Sequence, residues 1–140
     1  MQKLPAILLV DDDKTTNFLN QLLLQSLSVT DHLLVAENGA EALQALDRIC
    51  AGADSPTCPA LILLDVNMPV MGGIEFLEAY RQLPLAQQQA IVIVMLTTSM
   101  HARDLARIQE LPIAGMVSKP LTKEKFNTIL QVNFQRELPA

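Results

Sequence analysis

Tryptophan is absent from the 140 residues, tyrosine occurs once and phenylalanine four times. A core without large rings has to be assembled from Leu, Ile, Val, Ala and Met, which dominate the 50% of hydrophobic residues. Basic residues are also scarce. Ten Lys and Arg face fifteen Asp and Glu, for a net charge of −5, and no basic run stands out. That argues against direct nucleic-acid binding, which rests on neutralising phosphates. No segment approaches the roughly 20 apolar residues that a membrane-spanning helix needs. The opening "MQKLPAILLV" is too short in apolar length for a secretory signal, and acid follows at once. Two cysteines, Cys50 and Cys58, are too few for a zinc motif. A disulfide could close across "AGADSPT", but a cytoplasmic protein is the expectation, and free thiols with it. The length suits one domain, residues 1–140, with no output domain.

What is present is alternation. Near-continuous apolar runs cover Ala6–Val10, His32–Ala36, Leu61–Leu64, Ile91–Leu96 and Ile113–Val117. Such runs suit parallel strands covered on both faces. Amphipathic stretches lie between and after them. Thr15–Leu27 places Phe18, Leu19, Leu22, Leu23 and Leu27 on one broad face. Asn38–Ile49, Gly73–Leu83, His101–Leu111 and Thr122–Phe134 follow, with Thr122 as a natural N-cap. Five strands alternating with five helices predict an α/β sandwich on a parallel sheet. A long connection, "CAGADSPTCP", precedes the third strand.

The polar residues that matter fall just after the runs. Asp11, Asp12 and Asp13 follow the first strand, Asp65 the third, Thr97, Thr98 and Ser99 the fourth, and Lys119 the fifth. Open α/β sheets bind ligands beyond the carboxyl ends of their strands. Two carboxylates about 4 Å apart repel by roughly 4 kcal/mol at an effective dielectric near 20, so converging aspartates call for a cation. An all-oxygen set suits a hard divalent ion such as Mg²⁺. A carboxylate can also attack phosphorus to give an aspartyl-phosphate. Lysine, a hydroxyl and a metal would then neutralise the phosphoryl oxygens.

The pieces "ILLVDDD", "VAENGAEAL", "LILLDVNMPVMGG", "IVMLTTS" and "AGMVSKP", in this order, resemble the receiver domains of two-component response regulators. The resemblance implies a flavodoxin-like (βα)5 sandwich with sheet order 2-1-3-4-5. It implies Asp65 as phosphoacceptor, and Mg²⁺ held by Asp11, Asp12, Asp65 and the backbone carbonyl of Asn67. Thr97 and Lys119 would contact the phosphoryl group, and the Lys119–Pro120 bond would be cis. Thr98 and Ser99 would modulate access and hydrolysis. The donor would be a histidine kinase or a histidine phosphotransfer protein, and the output an unidentified protein partner. Many receivers carry Tyr or Phe three residues before the lysine; here that residue is Met116, which can repack but cannot signal by a ring flip.

Other readings bear on the same residues. Asp13 suits a helix N-cap. Gly72 and Gly73 suit a tight turn. His32 and His101 are read as ordinary. A phosphorylation-independent docking module is the alternative function, supported by Met116. A phosphatase working through its own aspartyl-phosphate would usually carry a second Asp where Asn67 stands.

Overall fold

Strand residues alternate between the two faces of a sheet. Here both sets are apolar, so both faces need a helical cover. The structure, a computed structural model, describes residues 2–50, 58–84, 91–98 and 102–138. Among them the chain forms β1 (Ile7–Val10), α1 (Lys14–Leu27), β2 (Leu33–Ala36), α2 (Gly39–Ile49), β3 (Leu61–Asp65), α3 (Gly73–Tyr80), β4 (Val92–Thr97), α4 (Ala102–Ile108), β5 (Gly115–Ser118) and α5 (Lys123–Phe134). All strand pairs are parallel, in the order β2-β1-β3-β4-β5. This is the flavodoxin-like sandwich expected from the sequence. Leu8, Val10, Ile62, Leu64 and Met95 join Leu46, Phe76 and Leu77 in one core. Ile7, Leu9, Leu61, Leu63 and Val94 join Leu24, Phe126 and Leu130 in the other. Phe76 and Phe126, one in each layer, are the largest of the fully buried side chains.

Side-chain caps set three of the helix starts. Asp13 accepts from the Thr15 amide at 3.0 Å, as its N-cap reading requires. Asn38 accepts from the Glu41 amide at 2.9 Å and Thr122 from the Lys125 amide at 3.2 Å. Each satisfies an amide that the helix itself cannot.

The structure corrects four expectations. β3 starts at Leu61 as expected, but β1, β2, β4 and β5 start later than their apolar runs, and β3, β4 and β5 each end one residue beyond them, on Asp65, Thr97 and Ser118. Hydropathy follows burial, whereas the ladder continues into the polar rim. Helix α1 is rotated part of the way from its predicted face: Leu23 and Leu27 pack against the core as expected, but the rest of that face does not. Phe18, Leu19 and Leu22 are 56%, 57% and 48% exposed, while Asn17, Asn20 and Leu24 are buried. The Asn17 amide donates to the Asp11 carbonyl at 2.8 Å, and Leu24 is buried in the core on the same side of the helix. Leu105, which lies on the apolar period of the amphipathic stretch His101–Leu111 with Ile108 and Leu111, is exposed on α4. Finally, Cys50 and Cys58 are disulfide-bonded, not free thiols. Cys50 ends α2 and Cys58 precedes β3, so both lie toward the amino edge of the sheet, with Cα atoms 4.8 Å apart. Beyond α5 the chain turns at Gln135 (φ 51°) and buries Leu138, whose amide donates to Asn127 Oδ1 at 2.8 Å.

Candidate functional site

Sheet register builds the site. Val10 pairs with Leu64, so Asp11 and Asp65 are the next residues on adjacent strands. Asp65 pairs with Leu96, which puts Thr97 one step further along β4. Thr97 pairs with Ser118, and Lys119 follows it. A single carboxyl edge thus receives all four.

Carboxylate oxygens of Asp11, Asp12 and Asp65 lie within 4.8 Å of one another. Lys119 Nζ sits 2.7 Å from Asp11 Oδ2 and 3.1 Å from Asp65 Oδ1. These side chains are 18%, 6% and 13% exposed, so the pairing is largely shielded from water. Asp11 Oδ1 also accepts from the Asp13 amide at 2.9 Å, and Asp65 Oδ1 from the Val66 amide at 2.9 Å. These two contacts of Asp65 fall on the same oxygen. Burial and the charge of Asp11 push the Asp65 carboxyl above the usual carboxylate range, against the opposing pull of Lys119 and the Val66 amide. Burial draws the Lys119 ammonium down. Its hydrogen bond to Asp11 and the charges of Asp11 and Asp65 outweigh that, and hold it above the ordinary lysine value. The site therefore carries more carboxylate charge than one ammonium neutralises. Its three acids offer only oxygen, which is the donor chemistry a hard divalent cation takes.

Asp12 is exposed at the mouth of the cluster. Asn67 is exposed on the loop after β3. Thr97 ends β4 half-buried, and its carbonyl accepts from the Lys119 amide at 2.8 Å. Thr98 is exposed beside it, whereas Ser99 and His101 lie outside the described residues. The Lys119–Pro120 bond is cis. Met116 lies on β5 opposite Met95 and is exposed. His32 is exposed and away from the acids in sequence.

The two glycines act differently from the tight-turn expectation. No described glycine has positive φ; the left-handed residue of this loop is Val70, at φ 67°. For a β-branched side chain that conformation is strained. Gly73 is needed for proximity: a Cβ there would lie 2.2 Å from the Asp65 carbonyl oxygen. Its amide donates to the Val66 carbonyl at 2.8 Å, tying the start of α3 to the end of β3.

Two polar residues of the rim were not singled out from sequence. Asn17 is buried under the Asp11 backbone, with Oδ1 enclosed and unpartnered. Lys125 reaches back from α5 to the segment that carries Lys119. Local sequence carried little signal for either: Asn17 lies off the apolar period of its helix, and Lys125 shares its first turn with the exposed Lys123.

The response regulator receiver domain model matches residues 7–131. Response regulator Rcp1 of Synechocystis is 34% identical over 114 residues, covering 81% of this chain and 76% of that protein. Chemotaxis protein CheY1 of Helicobacter pylori is 30% identical, covering 91% and 98% respectively. Among solved structures, the Mn²⁺-bound form of Rcp1 aligns with a TM-score of 0.69 at 32% identity, covering 96% of this chain and 99% of that one.

Proposed function

The chain belongs to the response regulator receiver family, and on that premise we propose that it accepts a phosphoryl group on Asp65. The observation that carries this reading is the shielded pairing of Lys119 with both Asp11 and Asp65 beside a third carboxylate. Receivers take phosphoryl groups from histidine kinases; the donor here would be such a kinase or a histidine phosphotransfer protein. An Asp65 carboxylate oxygen would attack phosphorus as the bond from phosphorus to the donor imidazole breaks. The electron pair leaves with the imidazole, and an acyl phosphate remains on Asp65.

Lys119 would stay paired with Asp11 and turn its remaining N–H donors to the phosphoryl oxygens. The Thr97 hydroxyl would donate to another of them. Both act through positioning and charge, the main requirement in phosphoryl transfer. Asp11, Asp12, Asp65 and the Asn67 carbonyl would hold Mg²⁺. When bound, that ion neutralises acid charge and the charge of the transferred group. The metal that Rcp1 was solved with, Mn²⁺, is of the same hard, oxygen-seeking class. Hydrolysis of the acyl phosphate would reset the domain, with Thr98 and Ser99 governing access.

The output would be binding to a protein partner, or onward transfer. This makes the protein a signalling domain and not a metabolic enzyme. No helix among the described residues is long and apolar enough to cross a membrane. A cytoplasmic location goes with the histidine-kinase reading. The Cys50–Cys58 bond pulls against it, because reducing compartments keep thiols free.

The test is intact mass after incubation with acetyl phosphate and Mg²⁺. The wild-type chain should gain one phosphoryl group, and Asp65→Asn should gain none. A wild-type chain that stays unmodified would favour the docking-module reading, to which the exposed Met116 lends support.

A further inference from the structure

Lys125 occupies the third position of α5, after the cap Thr122. An acidic or amide side chain there would complete a reciprocal cap. A cation in a first helical turn opposes the helix dipole. Lys123, two residues earlier, meets this by lying exposed. Lys125 instead turns back over the end of β5. Its Nζ donates to the Ser118 carbonyl at 2.8 Å, to the Pro120 carbonyl at 3.0 Å and to Ser118 Oγ at 3.2 Å. An ammonium has three N–H donors, so this set uses all of them.

The two carbonyls flank Lys119. The Lys119 amide donates to the Thr97 carbonyl of β4 at 2.8 Å. The backbone from which Lys119 reaches the acids is therefore held from β4 at its centre and from α5 on either side. Its side chain then spans to Asp11 at 2.7 Å and Asp65 at 3.1 Å. We propose that Lys125 is a positioning residue: by gripping the Ser118 and Pro120 carbonyls it aims the Lys119 ammonium at the Asp11–Asp65 pair. This inference rests on the reading of Asp65 as phosphoacceptor. It gives α5 a direct hold on the reactive rim. It also accounts for a cation at a helix position that favours an acid.

The experiment measures the rate of phosphoryl incorporation from acetyl phosphate at saturating Mg²⁺, using the full chain. Lys125→Met should slow incorporation about tenfold, the scale on which small displacements of a reacting group are felt. Lys125→Arg, which can still donate to both carbonyls, should restore most of the rate. In a Lys119→Met background, Lys125→Met should change the rate less than about twofold, because the residue acts through Lys119. Equal slowing with and without Lys119, or none in the wild-type background, overturns the proposal.

A second measurement does not depend on phosphorylation. The ¹³C relaxation order parameter of Lys119 Cε should fall in Lys125→Met and recover in Lys125→Arg. If wild-type protein takes up no phosphoryl group, the phosphoacceptor reading fails, and unchanged order at Lys119 Cε would overturn the clamp by itself.

Discussion

The two edges of the sheet are built on opposite principles. At the carboxyl edge three carboxylates crowd within 4.8 Å, and one lysine bridges two of them. That edge is electrostatically uncomfortable and polar. Toward the amino edge, Cys50 and Cys58 close the end of α2 onto the start of β3, both buried in the core. Leu4 and Val29, joined by a backbone hydrogen bond, are buried in the opposite layer. One edge keeps more acid charge than its lysine neutralises, and the other gathers covalent and apolar restraint. The buried apolar strands lie between the two edges and separate them.

If the edges divide the work in this way, perturbing each should move different observables. The largest effect belongs to Lys119→Met. It should lower phosphoryl incorporation by about a hundredfold, the scale for losing one aimed donor in a transition state. It should also destabilise the metal-free protein by on the order of 3 kcal/mol, because two shielded carboxylates lose their partner. Chemical denaturation with and without Mg²⁺ checks the second part, and added Mg²⁺ should recover much of the loss.

Next comes the other edge. Reducing the disulfide should cost roughly 2–3 kcal/mol for so short a loop in the chain-entropy account. Incorporation of phosphate at Asp65 should stay within about twofold of wild type, since the apolar core separates the edges. A parallel fall in both would mean that the edges are coupled and the division is wrong.

Asp65 supplies a finer probe. A carboxyl whose folded pKa is raised holds its proton longer in the folded state. It therefore supports the fold fully below its unfolded value of about 4 and withdraws that support as pH rises through the folded pKa. The stability difference between metal-free wild type and Asp65→Asn should thus move in favour of the variant across the window just above pH 4. Paired denaturation curves from pH 3 to 7 would show it, and a flat difference would contradict the electrostatics described for the rim.

The smallest effect is local. Asn38→Ala removes the α2 cap and should cost about 1 kcal/mol. Phosphoryl incorporation should be nearly unchanged, as measured in the same mass assay.

Much of this was legible without coordinates. Short aliphatic runs separated by helical periods leave few alternatives to a parallel sheet, and the acids and lysine stand immediately after those runs. Helix α1 was misread for a specific reason. Its apolar period through Phe18, Leu19 and Leu22 is regular, yet the inward stripe carries Leu24 and an Asn17 that hydrogen-bonds the Asp11 backbone. Periodicity reports that a face exists, not which neighbour will claim it. The bond between Cys50 and Cys58 was equally hidden, because their spacing permits a bridge without requiring one.

The order of residues along the chain therefore dictated the sheet, its polar edge and the chemical kinds of group gathered there, because burial and strand ends are written in local composition. Register, helix rotation and the reach of Lys125 toward Ser118 and Pro120 came from packing. They depend on which backbone groups meet across elements far apart in the chain, and no local pattern encodes that meeting.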